Sequence, residues 1–310
     1  MPSNTGAPSL KQQLMGMLEP GQLMLWSLSR KFNSEQASYD YLGFATDYLR
    51  VCKEAVINGE IFAPIFQISK LRDVAFGRFW VEFSSNRPSE LTGSSALIPP
   101  LLSTSTGIVL DIGPGAGSQM HLLRSKEITS IYGPEPCTTL HPTLRTTAIN
   151  EGISEKYHIL PSGVSAKDLL PALRKTGTGV TDAYEKDTKN GIFDTILCVR
   201  VLCSVPELEK TTKELYALLK PGGRLLVTEH VVNRPFDGNG KGSVIGRLTQ
   251  FIWMWVGWKF LLGDCCLDRD TEGALRGAAG VEGWESFDIE RSAEWSAMPY
   301  ISGTLVKKSL

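Results

Sequence analysis

The segment Asp111-Ile112-Gly113-Pro114-Gly115-Ala116-Gly117 carries the clearest chemistry in this chain. It closes a short apolar run that starts at Gly107. Glycines at such a strand end let backbone approach a ligand closely and permit positive φ. Dinucleotide-binding loops use GxGxxG and hold a pyrophosphate over a helix N-terminus. Here the spacing is GxGxG, and a carboxylate stands two residues before the first glycine. That carboxylate repels a phosphate. It suits a ligand carrying an ammonium and a sulfonium, and S-adenosylmethionine is such a ligand. Glu135 follows Asp111 by 24 residues, just past a second apolar run that ends at Tyr132-Gly133. An acid there can accept both ribose hydroxyls of an adenosine. A ligand-free tight turn beside a surface glutamate would use the same residues, but it leaves their coincidence unexplained.

Methyl transfer from such a donor is an in-line displacement, so the protein mainly aligns the reactants and excludes water. An alcohol or phenol acceptor also needs a base, whereas a thiol needs less help. His230 ends a predicted strand, where ligands gather in open α/β sheets, and is the candidate base, with Glu229 beside it to orient or replace it. The competing role for both is hydrogen bonding at a strand end. Arg200 follows another apolar strand and can bind a carboxylate or sit in a salt bridge. His121 and His141 fall on or beside predicted helices and read as packing or surface residues. Residues 251–262 form the most apolar stretch. Its 12 residues are too few to span a bilayer. Trp255, Trp258 and Leu262 share one helical face there, giving a packing helix or an aromatic lid over a lipophilic acceptor. A helix lying on a membrane surface is a third reading, with few flanking cations to support it.

The six cysteines, Cys52, Cys137, Cys198, Cys203, Cys265 and Cys266, lack CxxC spacing and read as reduced thiols of a cytoplasmic protein. The four histidines are scattered and no carboxylate cluster stands out, so no metal is expected. A net charge of -1 gives no footprint for nucleic acid. No Asn/Asp-Pro-Pro-aromatic tetrapeptide is present to grip a flipped base. The first residues lack the plan of a signal peptide.

These residues need a scaffold. Before residue 100 the pattern is helical. Asn33 and Gln36 suit a helix start, followed by an apolar face of Ala37, Tyr41, Phe44, Tyr48, Val51 and Ala55. A second face runs Ile65, Ile68, Leu71, Ala75 and Phe79. From residue 107 the texture alternates. Strands are predicted at 107–112, 128–133, 158–160, 193–199, 224–229, 287–291 and 301–307. Helices are predicted at 118–126, 142–149, 166–175 and 206–219, and a surface loop at 176–191. Strand-helix alternation makes an α/β fold with a parallel, doubly wound sheet. The expected division is a helical cap over 1–100 and a cofactor-binding domain over 101–310, with the aromatic insertion at about 234–268.

Residues 109–117 and 133–136 resemble the first two signature regions of class I S-adenosylmethionine-dependent methyltransferases, and 194–197 and 221–223 resemble the later ones. Downstream, Val201-Leu202-Cys203-Ser204-Val205, Glu229-His230-Val231 and Gly263-Asp264-Cys265-Cys266-Leu267 are similar to the methyltransferase-like proteins that include thiol S-methyltransferases. The N-terminal section departs from that family, whose start is a hydrophobic membrane anchor, and looks more like fungal natural-product relatives. The resemblance implies a Rossmann-like sheet of seven strands with helices on both faces, its last two strands forming an antiparallel hairpin. It implies that Asp111, Gly113, Gly115 and Gly117 line the methionine and ribose, that Glu135 holds the ribose, and that Ser162 and Gly163 sit near the adenine. Val199 and Arg200 would face the cofactor's open side. Expected substrates are small molecules. A cyclase using the cofactor as scaffold, or a non-catalytic binding protein, would keep the same fold. A homodimer and peripheral membrane association are compatible with all three.

Overall fold

The computed structural model describes residues 8–28, 44–85, 93–236 and 242–309. Seven strands form one sheet in the order β3-β2-β1-β4-β5-β7-β6. They are β1 (Gly107–Ile112), β2 (Ile128–Pro134), β3 (Tyr157–Leu160), β4 (Phe193–Val199), β5 (Leu219–His230), β6 (Ser286–Ser292) and β7 (Tyr300–Val306). The first five run parallel, and β7 lies antiparallel between β5 and β6.

The helices are α1 (Leu10–Leu28), α2 (Phe44–Ile57), α3 (Ala63–Phe66), α4 (Ile68–Ser85), α5 (Ile98–Leu102), α6 (His141–Asn150), α7 (Ala166–Lys175), α8 (Asp182–Lys186), α9 (Leu208–Leu218), α10 (Val244–Trp255), α11 (Trp258–Leu261) and α12 (Thr271–Ala278). Successive strand side chains point to opposite faces, so a strand buried on both sides feeds two cores. Leu110, Ile196 and Leu225 enter one core with Leu169 and Leu173 of α7, Leu215 of α9 and Leu275 of α12. Their neighbours Val109, Leu197 and Leu226 enter the other, with Leu102 of α5 and Leu144 of α6. No described helix is long and apolar enough to cross a membrane.

The N-terminal helices have a core of their own. Phe44, Val51 and Ala55 of α2 meet Leu71, Ala75 and Phe79 of α4. Ile65 and Ile68, placed on the same face by their spacing, are exposed because α3 ends at Phe66 and α4 begins two residues later. Asn33, Gln36, Ala37 and Tyr41 lie outside the described residues. The α1 helix joins the aromatic insertion: Gly21 lies so close to the Trp253 ring that a Cβ would come within 2.4 Å of it, and the Trp253 indole N–H donates to the Met17 carbonyl at 3.2 Å.

Three further expectations change. Residues 118–126 do not form an α-helix; a single 3₁₀ turn, Met120–Leu122, stands there. Met120 and Leu123 are both buried, and their i, i+3 spacing suits that tighter turn. The glycine loop therefore lacks the helix N-terminus that would favour an anion. The polar stretch at 176–191 contains α8 and a 3₁₀ turn at Thr188–Asn190. The aromatic stretch breaks at Gly257, whose φ of 111° ends α10 and separates it from α11. Trp255 and Trp258 consequently share no helix face: Trp255 is 81% exposed and Trp258 1%.

Candidate functional site

Asp111 and Glu135 sit at the tips of β1 and β2, where parallel pairing places the two strand ends side by side. Both are buried. The Tyr157 hydroxyl donates to Asp111 Oδ2 at 2.7 Å. Glu135 accepts from the Gly115 N–H at 3.0 Å through Oε2 and from the Cys137 N–H at 2.9 Å through Oε1. Burial pushes the Asp111 carboxyl up to about 6, the Tyr157 hydrogen bond pulls the other way, and the nearby Glu135 charge adds to the rise. Burial likewise raises Glu135, against the pull of its two backbone donors. Two adjacent carboxylates held out of water create a strong demand for a cation.

The loop between them is a backbone cradle. Gly113, Gly115 and Gly117 have φ of 55°, 61° and 81°. A Cβ on Gly113 would lie 2.6 Å from Val201, and one on Gly115 would lie 2.8 Å from the Trp80 indole nitrogen. Trp80, stacked on Phe76 with ring centroids 5.4 Å apart, brings α4 over the loop. The sequence pattern does not single out Tyr157 or Trp80. Tyr157 only opens an apolar run, and Trp80 comes from the helical section. At the tip of β3, Ser162 is buried and its Oγ has no partner. Gly163 lies beside it, where an open cleft of about 790 Å³ runs from Pro136 along α7. A second depression, of about 690 Å³, lies among Ile108, Thr129 and Lys220 under the 178–192 loop, at the opposite end of the strands.

The other half of the edge lies at the tips of β4 and β5. Val199 is half-buried there. Arg200 adopts a φ of 56°, unusual for a side chain of its size. Its guanidinium donates to Ser94 Oγ and Ser95 Oγ at 2.7 and 2.8 Å, while Nε is buried without a partner. Glu229 Oε1 accepts from the Val201 and Leu202 N–H groups at 2.7 and 2.9 Å. This carboxylate thus fixes the loop after β4. His230 is buried, with Nε2 3.1 Å from Cys265 Sγ and Nδ1 unpartnered. Glu19 of α1 faces this group: burial raises its carboxyl, and the charges of Arg200 and His230 oppose the rise. Tyr300, opposite His230 in the β5–β7 register, is pushed up to about 12 by burial. Trp258 lies in the core with Met24, Cys203, Cys265 and Tyr300, so it can only wall the site from inside. Trp255 lies on the surface.

The residues at the β1–β3 tips fit S-adenosylmethionine. A carboxylate offers about four acceptor positions, so Glu135 keeps two for ribose hydroxyls beyond its two backbone donors. The Asp111 carboxylate would answer the ammonium, Gly113 and Gly115 leave no room for a Cβ, and the buried Ser162 Oγ has no protein partner.

The methyltransferase domain family matches residues 84–260. Thiol S-methyltransferase TMT1B of Homo sapiens is 34% identical over 125 residues, covering 38% of this chain and 45% of that protein. Thiol S-methyltransferase TMT1A of Homo sapiens is 29% identical over 122 residues, with the same coverages of 38% and 45%. The chain spans about half the length of these curated relatives. The crystal structure of the cyclase SpnF superposes with a TM-score of 0.51 at 17% identity, covering 79% of this chain and 97% of that one, a likeness of fold alone.

Proposed function

This chain belongs to the methyltransferase domain family, whose donor is S-adenosylmethionine, and from that premise we propose that it methylates a small, lipophilic acceptor in natural-product metabolism, with a thiol sulfur as the preferred nucleophile. The observation that carries the reading is the pair of buried acids, Asp111 and Glu135, framing a loop whose three glycines hold positive φ. When bound, the donor supplies a methyl carbon already activated by its sulfonium. Asp111 would hold the ammonium and Glu135 the ribose, so that these two carboxylates would orient the bound donor. Trp80 over Gly115 excludes water from one side, and α1 with Tyr300 and Trp258 does so on the other. On the β4–β5 side an acceptor sulfur, reacting as the thiolate with its proton already lost to water, would be methylated with S-adenosylhomocysteine as the leaving group, and these residues would contribute alignment rather than a strong base. The thiol preference draws on the likeness to the two thiol S-methyltransferases, and a lipophilic acceptor suits the apolar surroundings of Tyr300.

The test incubates the full chain with methyl-labelled S-adenosylmethionine and a panel of lipophilic thiols, phenols and amines. Label is expected in the thiol products at a rate at least about tenfold above the others, the ratio that 1.4 kcal/mol of barrier gives. Label in no product, or a rearranged substrate without label, sinks the reading.

A further inference from the structure

Cys203, His230 and Cys265 come from three distant stretches of chain, yet their ligand-capable atoms all lie within 4.8 Å of one another. All three residues are buried, at 3%, 4% and 8% exposure. The convergence is braced from several sides. The Cys266 N–H donates to the Cys203 carbonyl at 3.0 Å. Arg269 donates to the Leu202 and Val205 carbonyls at 2.9 and 2.5 Å. Arg72 of α4 grips Asp264 through two hydrogen bonds of 2.9 and 2.5 Å. Asp264 is itself held at a φ of 65° beside Gly263 at 61°. His230 is fixed in the ladder opposite Tyr300. Two loops and a strand end are thus clamped so that two sulfurs and an imidazole meet at one point.

We propose that Cys203 Sγ, Cys265 Sγ and His230 Nε2 bind one zinc ion. Thiolate and imidazole are the donor set of a borderline-soft divalent cation, and carboxylates are absent from the trio. Ligands about 2.3 Å (sulfur) and about 2.0 Å (nitrogen) from one tetrahedral ion stand roughly 3.5 Å apart. The His230–Cys265 contact of 3.1 Å opens to that spacing with a small ring movement. Among the described residues three side chains converge, which leaves the fourth tetrahedral position to water or another exogenous donor. A three-ligand set with an open position is the plan of a reactive zinc site rather than a closed structural one. The cysteine spacing conceals it in the sequence: 62 residues separate Cys203 from Cys265, and 27 separate Cys203 from His230.

The test measures metal in the full chain, purified without chelator from zinc-supplemented cells. About one zinc per chain is expected, falling below about a quarter in Cys203→Ser, Cys265→Ser and His230→Gln, since each removes one of three ligands. Cys266→Ser, whose thiol points away to the Asp264 carbonyl, keeps the full complement. Cobalt replacing the zinc in the unmutated protein should give a thiolate-to-metal charge-transfer band, a readout that needs no variant to fold. A folded wild-type chain without zinc and without that band overturns the proposal. So does a disulfide joining Cys203 and Cys265, or an undiminished zinc content in Cys265→Ser. Binding of S-adenosylhomocysteine, measured on the same samples, reports on the β1–β2 tips separately, so the donor reading and the zinc reading fail independently.

Discussion

At the tips of β1 and β2 the charged and glycine elements of the site come from one run of chain, residues 111–117, and a single acid beyond the next strand, with Trp80 and Tyr157 packed against them. At the tips of β4 and β5 it is made by Glu19, Arg200, Cys203, Glu229, His230, Trp258, Cys265 and Tyr300, drawn from α1, two loops, two strands and the aromatic insertion. The first half is a backbone cradle with charge at its rim, and Gly113 and Gly115 in it leave no room for a Cβ. The second half is a packed wall in which each residue depends on several others. A donor of fixed chemistry demands the former. An acceptor side can be built in many ways, because it must only exclude water and leave space for one nucleophile.

The largest effect should come from breaking the wall. Trp258→Ala removes a fully buried indole and should cost about 3–5 kcal/mol in urea unfolding, whereas Trp255→Ala, at 81% exposure, should stay within about 0.5 kcal/mol. Equal costs would mean that the acceptor half is no core at all. On the other half, Glu135→Ala strips the acceptor from the Gly115 and Cys137 N–H groups and from any ribose hydroxyl. The affinity for S-adenosylhomocysteine, read by calorimetry, should drop about 100-fold, since hydrogen bonds to a charged group are each worth about 1.5–3 kcal/mol. An unchanged affinity would put the ligand elsewhere.

The same contrast decides what the sequence could tell. The parallel sheet, with β1 at Gly107–Ile112 and β4 at Phe193–Val199, was legible because doubly buried strands are short apolar runs between glycines. The donor half was legible because its residues are contiguous and their conformational needs are specific to glycine. The loop at 118–126 has the length and polarity of a helix, and those alone do not distinguish it from the 3₁₀ turn found there. Trp255 and Trp258 share a face only in a continuous helix, and the positive φ of Gly257 breaks the helix between them. Trp80 over Gly115, Tyr157 on Asp111 and the meeting of Cys203 with Cys265 are long-range contacts without local periodicity, and nothing in the spacing announces them.

Protonation separates the halves again. Asp111 is raised to about 6 when folded, from 3.8. A carboxyl whose folded value is raised stabilises the fold below its unfolded value and loses that contribution as pH climbs through the folded one. The ligand-free chain should therefore gain stability, on the order of 3 kcal/mol at most, as pH falls from about 7 to about 4 through this group. Donor binding should move the other way, because the cation needs the ionised form. S-adenosylmethionine affinity at pH 5 should be about tenfold below that at pH 7. Asp111→Asn should flatten both trends, and a pH dependence that survives it would assign the titration to another group.

The smallest expected change is the most discriminating for the acceptor half. Glu229 stands where a general base would stand, beside His230 at the end of β5, yet its Oε1 already binds two backbone N–H groups of the loop that carries Val201 and Leu202. Glutamine keeps an oxygen in that place, and one amide oxygen can accept both donors. Glu229→Gln should then retain turnover within about threefold, because removing a true general base costs about 10²–10⁴. Alanine at the same position leaves both N–H groups unanswered and should lower stability by about 2 kcal/mol. It should also slow the acceptor reaction more than it weakens binding of S-adenosylhomocysteine. The glutamine and alanine variants thus separate holding from proton transfer. If glutamine is as damaging as alanine, the charge itself matters, and the wall at β4–β5 does chemistry that alignment alone does not supply.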